Sequence, residues 1–194
     1  MPRDRKAEFD GDQDVQLMTT AIENTLRRLI SAATAALLAF FPATLAHAEG
    51  PPTPSEYVDH VGGDASIVDP GALKLDGHQQ ICGHRPTVLD NKLDDYAAAY
   101  PGFLILNPRL MARVSTPVKM WIYAHECGHQ FRGPDEETAD CFAVQRGRRQ
   151  GWLTPEGLEE VCSFIAPSKG SAMHLAGSHR CEYMRKCYAD PTVR

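Results

Sequence analysis

The spacing of apolar and polar positions divides the chain into an apolar leader, a region of short strands and a helical region. From Leu29 to Ala46 the chain reads "LISAATAALLAFFPATLA", with no charged residue. Residues 49–57, "EGPPTPSEY", are rich in proline and polar residues, and predict a linker over 49–60. "GALKLD" (71–76) and "PTVLD" (86–90) are short strand candidates, and "LDDYAAAY" (93–100) reads as a short helix. The best strand is "GFLILNP" (102–108), an apolar run closed by Asn107-Pro108.

Four helices follow. Thr116 as N-cap and Pro117 at the first helical position open a helix over roughly 117–131. It carries Val118, Met120, Trp121, Ile122 and Ala124 and is apolar almost all round, which predicts burial. Gly133-Pro134 breaks it. A second helix is expected over about 135–149, stopping near Gly151. Thr154-Pro155 opens a third, through Leu158, Val161 and Phe164. Ser178 is placed to cap a last one, through Tyr183, Met184 and Tyr188. The pattern predicts one α+β domain over 61–194, with a short sheet and a buried helix packed against its successor.

The leader has the parts of a secretory signal. Arg27 and Arg28 precede the apolar run, and Ala46-His47-Ala48 follows it as a small-x-small cleavage site. Cleavage after Ala48 makes 1–48 a removable leader, and Met18 is a more ordinary starting point for it. Left uncleaved, the run would be the one means of membrane attachment. Export places the protein in the periplasm or outside the cell.

Composition adds two constraints. The 194 residues are 43% hydrophobic, enough for a real core, and carry a formal net charge of -5. That balance gives no basic footprint for nucleic acid, and the cluster Arg146, Arg148, Arg149 reads as a solvated helix end. The six cysteines (Cys82, Cys127, Cys141, Cys162, Cys181, Cys187) all follow the leader, and an even count in an oxidising compartment points to three disulfides. No pair has C-x-x-C spacing, so a thiolate zinc site is disfavoured. The pairing stays open; a bond between Cys127 and Cys141, or from each to flanking segments, would fix the helix pair.

The chemistry lies in "AHECGHQFRGPDEETADC", 124–141. His125 and His129 are four apart and share one helical face, so two imidazoles can bind one Zn²⁺ at roughly 2.0–2.1 Å. Glu126 lies about 100° around the helix, able to reach a water beside the metal but badly placed as a ligand. A cation there lowers the water's pKa to roughly 7, and the carboxylate can take its proton. This is the H-E-x-x-H logic. A third ligand is needed, with a fourth position left open. Asp135 and Glu136 both qualify. Glu136 is favoured, because Asp140 is then one turn on, where it can accept the outer N–H of a ligand histidine. Asp135 is then free to cap the second helix, and Glu137 reads as a solvated neighbour.

"HECGH" followed by "EETADCFAV" resembles the gluzincin metallopeptidases, whose pattern is H-E-x-x-H and then E-x-x-A-D on the next helix. With "FLILNP" ahead of the site, the order over about 102–150 is similar to the minimal core of the minigluzincins. The resemblance implies a small zincin-like fold, with His125, His129 and Glu136 as ligands, Glu126 as general base and Asp140 behind a ligand. Near the C-terminus, "HLAGSHR" keeps the spacing of an H-P-x-x-x-x-R pattern of some gluzincins, with Leu175 in place of the proline. By that likeness His174 would donate to the developing oxyanion and Arg180 would steady the site.

The expected function is an exported zinc metallopeptidase acting on extended peptides or unfolded proteins, with "GFLILN" at a sheet edge receiving substrate as an added strand. Two alternatives stay open: an inactive zinc-binding envelope module that recognises a partner, and a zinc hydrolase acting on cell-wall peptides.

Overall fold

The computed structural model describes residues 50–170 and 175–193. The leader, its cleavage site and His174 lie outside the described residues. The architecture is α+β. In chain order the elements are α1 (Pro54–Val61), β1 (Ser66–Val68), β2 (Lys74–Leu75), β3 (His78–Gln79), β4 (Thr87–Leu89), β5 (Ala97–Tyr100) and β6 (Phe103–Leu106). Then come α2 (Pro108–Met111), α3 (Thr116–Arg132), α4 (Glu136–Gln150), α5 (Pro155–Ile165) and α6 (Gly177–Ala189).

The main sheet has strand order β1-β4-β6-β5, with β4 and β6 parallel and the other neighbours antiparallel. β2 and β3 form a separate hairpin. Every residue of β6 is buried, which explains its unbroken apolar run. Leu104 and Leu106 face the helices, where Ile122, Val144 and Leu158 belong to the same core. Phe103 and Ile105 face the other way with Val88, under Tyr57 and Val58 of α1. That second face corrects the linker reading of 49–60. Without α1, three large apolar residues would meet water. Thr53 and Glu56 close a capping box at the start of α1, and the Tyr57 hydroxyl donates to Asp90 at 2.9 Å.

Two further expectations change. "LDDYAAAY" is not a helix: its second half is β5. Tyr100-Pro101-Gly102-Phe103 is a two-residue hairpin connection, with Gly102 at φ 90°, a backbone angle suited to glycine. The hairpin overrides the helical preference of three alanines. It also makes β5 the edge strand, so β6 is interior and cannot receive an added strand.

The helix signals were mostly well placed, with small shifts at two starts. The N-cap of α3 is Ser115, because the Thr116 hydroxyl donates instead to Asp76 at 2.6 Å. The last helix starts at Gly177, with Ala176 as N-cap, so Ser178 lies inside it. Asp135 caps α4 through the Thr138 N–H, and Thr154 caps α5 through the Gly157 N–H. Arg146 is not merely solvated: its guanidinium donates to the Ile81 carbonyl at 2.6 Å, tying α4 to the segment before Cys82.

Three disulfides join Cys82 to Cys127, Cys141 to Cys187 and Cys162 to Cys181. The Cys127–Cys141 bond is absent; each cysteine is bridged to another segment instead. The first bridge ties the β3–β4 connection to α3, the second α4 to α6, the third α5 to α6. Each contributes about 2–4 kcal/mol by restricting the unfolded chain. The bridges fit an oxidising environment.

α3 and α4 approach closely at Gly128. A Cβ there would stand 3.0 Å from the Ala139 Cα and 3.1 Å from the Ala139 carbonyl oxygen. The small residue therefore sets the distance at which α4 presents Glu136. Gly128→Val should cost on the order of 1–3 kcal/mol through overpacking. Urea unfolding followed by circular dichroism measures it, and an unchanged midpoint would contradict the close approach.

Candidate metal centre

α3 carries the first two functional side chains. The four-residue spacing of His125 and His129 puts their rings on one face, with centroids 4.7 Å apart. α3 ends at Gly133, φ 89°, and the chain turns sharply enough for α4 to begin at Glu136. Glu136 then reaches both rings. Its Oε2 is 3.3 Å from His125 Nε2 and its Oε1 is 3.5 Å from His129 Nε2. The two Nε2 atoms are 3.1 Å apart. One donor atom from each of the three residues lies within 4.8 Å of the others, a group able to hold a metal ion.

The outer ring nitrogens fix the protons. His125 Nδ1 is 2.8 Å from Asp140 Oδ1, and His129 Nδ1 is 2.9 Å from the Gly133 carbonyl oxygen. A carboxylate and a carbonyl only accept, so each Nδ1 carries the hydrogen and donates. In neutral rings both Nε2 lone pairs then point at one another and at the Glu136 carboxylate. Such a cluster is stable only with positive charge at its centre, from added protons or a cation. Two imidazole nitrogens and a carboxylate are also a donor set that suits zinc. The residues present therefore fit a divalent cation.

Electrostatics agree. Burial opposes charge on His125, but its bonds to Asp140 and Glu136 prevail and push its pKa up to about 9. His129 moves the same way, chiefly through Glu136. Burial works to raise the Glu136 pKa, yet the two histidines and Arg180 hold it below the usual carboxylate range. Asp140 is fully buried and likewise depressed: burial works against its charge, and Arg180 and His125 outweigh it. Arg180 Nε and one terminal nitrogen each donate to Asp140 at 2.7 Å, a fork that fixes the carboxylate while it orients His125.

Asp135 is engaged as the α4 cap and takes no part in the cluster. Glu137 pairs with His179 at 2.9 Å on the surface. Glu126 lines a cleft of about 360 Å³ beside the cluster. Burial raises its pKa against the pull of the two histidines, with Glu136 and Asp95 adding to the rise. The same cleft is lined by Asp95, Tyr96, Trp121, Phe164 and Arg180. Of these, sequence reasoning singled out Arg180 alone as a site residue. Trp121 was within reach, since it precedes His125 by one turn and its ring centroid is 5.5 Å away. Asp95, Tyr96 and Phe164 carry no local signal, because the cleft forms only when β5 and α5 meet α3.

No protein-family model matches the chain, and no curated protein or solved structure is significantly similar to it.

The raised His125 pKa has a measurable consequence in metal-free protein. Folding favours the protonated ring. Its stabilisation is complete below the unfolded value near 6.5 and is lost as pH rises through about 9. Urea midpoints of the chelator-treated chain should fall across that window, and Asp140→Asn should flatten the fall. A midpoint that stays level from pH 6.5 to 9 would contradict the pairing.

Proposed function

We propose that this chain is an exported zinc-dependent metallopeptidase, of the gluzincin kind, that hydrolyses peptide bonds. One observation carries the reading: Glu126 lines the same cleft as His125 and Glu136, two members of the His125–His129–Glu136 group, beside an open sheet edge. The disulfides and the leader pattern support export.

His125, His129 and Glu136 would hold the cation. When bound, it supplies a Lewis acid that polarises the scissile carbonyl and acidifies a nearby water. Glu126 receives the proton from the attacking water and passes it to the leaving amine. Its pKa, raised chiefly by burial, makes the carboxylate a stronger acceptor for the water's proton than an exposed glutamate. Asp140 keeps the His125 proton on Nδ1, so the lone pair of Nε2 stays directed at the site. Arg180 keeps Asp140 in place and adds positive charge 3.6 Å from Glu136.

Substrate binding falls to β5. The Asn107 N–H donates to the Tyr96 carbonyl at 2.9 Å, which with the register puts the backbone groups of Tyr96, Ala98 and Tyr100 toward β6. Those of Ala97 and Ala99 face the open edge. An extended peptide pairing there would run past Glu126 and the histidines.

Glu126→Gln separates this reading from a binding module. It should leave zinc stoichiometry intact and lower turnover of an unfolded protein such as casein by about 10²–10⁴-fold. Undiminished turnover in the variant would remove Glu126 as the base, and wild-type protein that binds zinc yet cuts neither casein nor purified wall fragments would favour the partner-recognition alternative.

A further inference from the structure

The cleft holds one carboxylate that the proposed chemistry leaves unused. Asp95 is exposed, lines the cleft, and immediately precedes Tyr96 and the edge strand β5. The other charged groups lining this cleft are matched. Arg180 is forked onto Asp140, Glu136 bridges His125 and His129, and the Glu126 carboxylate feels the same two histidines. Asp95 makes no ion pair among the described residues. Its Oδ1 accepts from the Tyr96 backbone N–H at 2.6 Å, which orients the carboxylate without neutralising it.

The wall next to Asp95 is aromatic and apolar. Tyr96 and Phe164 meet edge-to-face with centroids 5.1 Å apart, and Phe164 also meets Trp121 at 6.5 Å. Ile122 and Ile165 continue the surface. A greasy channel with a carboxylate at its rim matches one kind of side chain: a long aliphatic stem ending in a cation. A carboxylate-tipped side chain would place like charges together, and a purely apolar one would leave Asp95 unused.

We infer that Asp95 is a specificity-determining residue that selects peptide substrates with a lysine or arginine side chain lodged in this cleft. The inference rests on the peptidase reading for its site, but not for its test. The stem of the substrate residue packs along Tyr96, Phe164 and Trp121. Its ammonium or guanidinium reaches Asp95. Because Asp95 lies two residues before Ala97, whose backbone faces the open edge, one bound strand satisfies both contacts.

The experiment uses N-acetylated fluorescent peptides that differ at one position, carrying Lys, Arg, norleucine or Glu. Affinity for the zinc-loaded mature chain is read by anisotropy, and cleavage is read in parallel. Wild type should favour Lys and Arg over norleucine, and norleucine over Glu, with the Lys-to-Glu ratio on the order of tenfold or more. Asp95→Asn should collapse that ratio toward one, and Asp95→Lys should invert it. Affinity ratios that show no charge preference, or that survive both substitutions, would overturn the assignment. Asp95-dependent ratios without any cleavage would uphold it and count against the peptidase reading instead.

Discussion

A carboxylate with no solvent contact sits at the junction of three helices. Asp140 on α4 receives the Nδ1–H of His125 from α3 and the guanidinium fork of Arg180 from α6. A buried charge is costly unless paired and fully hydrogen-bonded, and removing one partner of such a pair costs about 3–5 kcal/mol. The three helices therefore have a narrow set of arrangements in which Asp140 is tolerated. In that arrangement His125 Nε2 points at His129 and Glu136. The same network that makes the carboxylate bearable thus aims the donor atoms.

The covalent frame is built around this junction. Cys127 lies between the two histidines, Cys141 follows Asp140, and Cys181 follows Arg180. Each bridge has one end within two residues of a group that shapes the site. Gly128 lets α4 approach α3, and the turn at Gly133 brings Glu136 back toward the rings. A sheet of four short strands supplies the floor, and its one edge at the cleft is β5.

The centre was legible because its spacing is local. One helical turn relates His125 to His129, another relates Glu136 to Asp140, and the Gly133-Pro134 break announces the turn between the helices. The choice of Glu136 over Asp135 followed from the same periodicity, since an N-cap and a side chain facing the preceding helix are different positions. What depends on packing was not legible. α1 exists to cover Phe103, Ile105 and Val88, an obligation invisible within "EGPPTPSEY". β5 was mistaken for helix because alanine propensity is weak beside a Pro101-Gly102 hairpin. The disulfide pairing joins residues 19 to 46 apart, and no spacing rule selects it. Asp95 and Phe164 line one cleft from segments far apart in the chain, so neither belongs to a motif.

The central claim is that His125, His129 and Glu136 share one divalent cation. Anomalous diffraction at the zinc edge, from crystals of residues 49–194 grown with zinc, addresses it directly. The account predicts a single ion at about 2.0–2.2 Å from His125 Nε2, His129 Nε2 and the Glu136 carboxylate, with an open coordination position toward Glu126. An ion bound elsewhere, or these three side chains uncoordinated at saturating zinc, would contradict it.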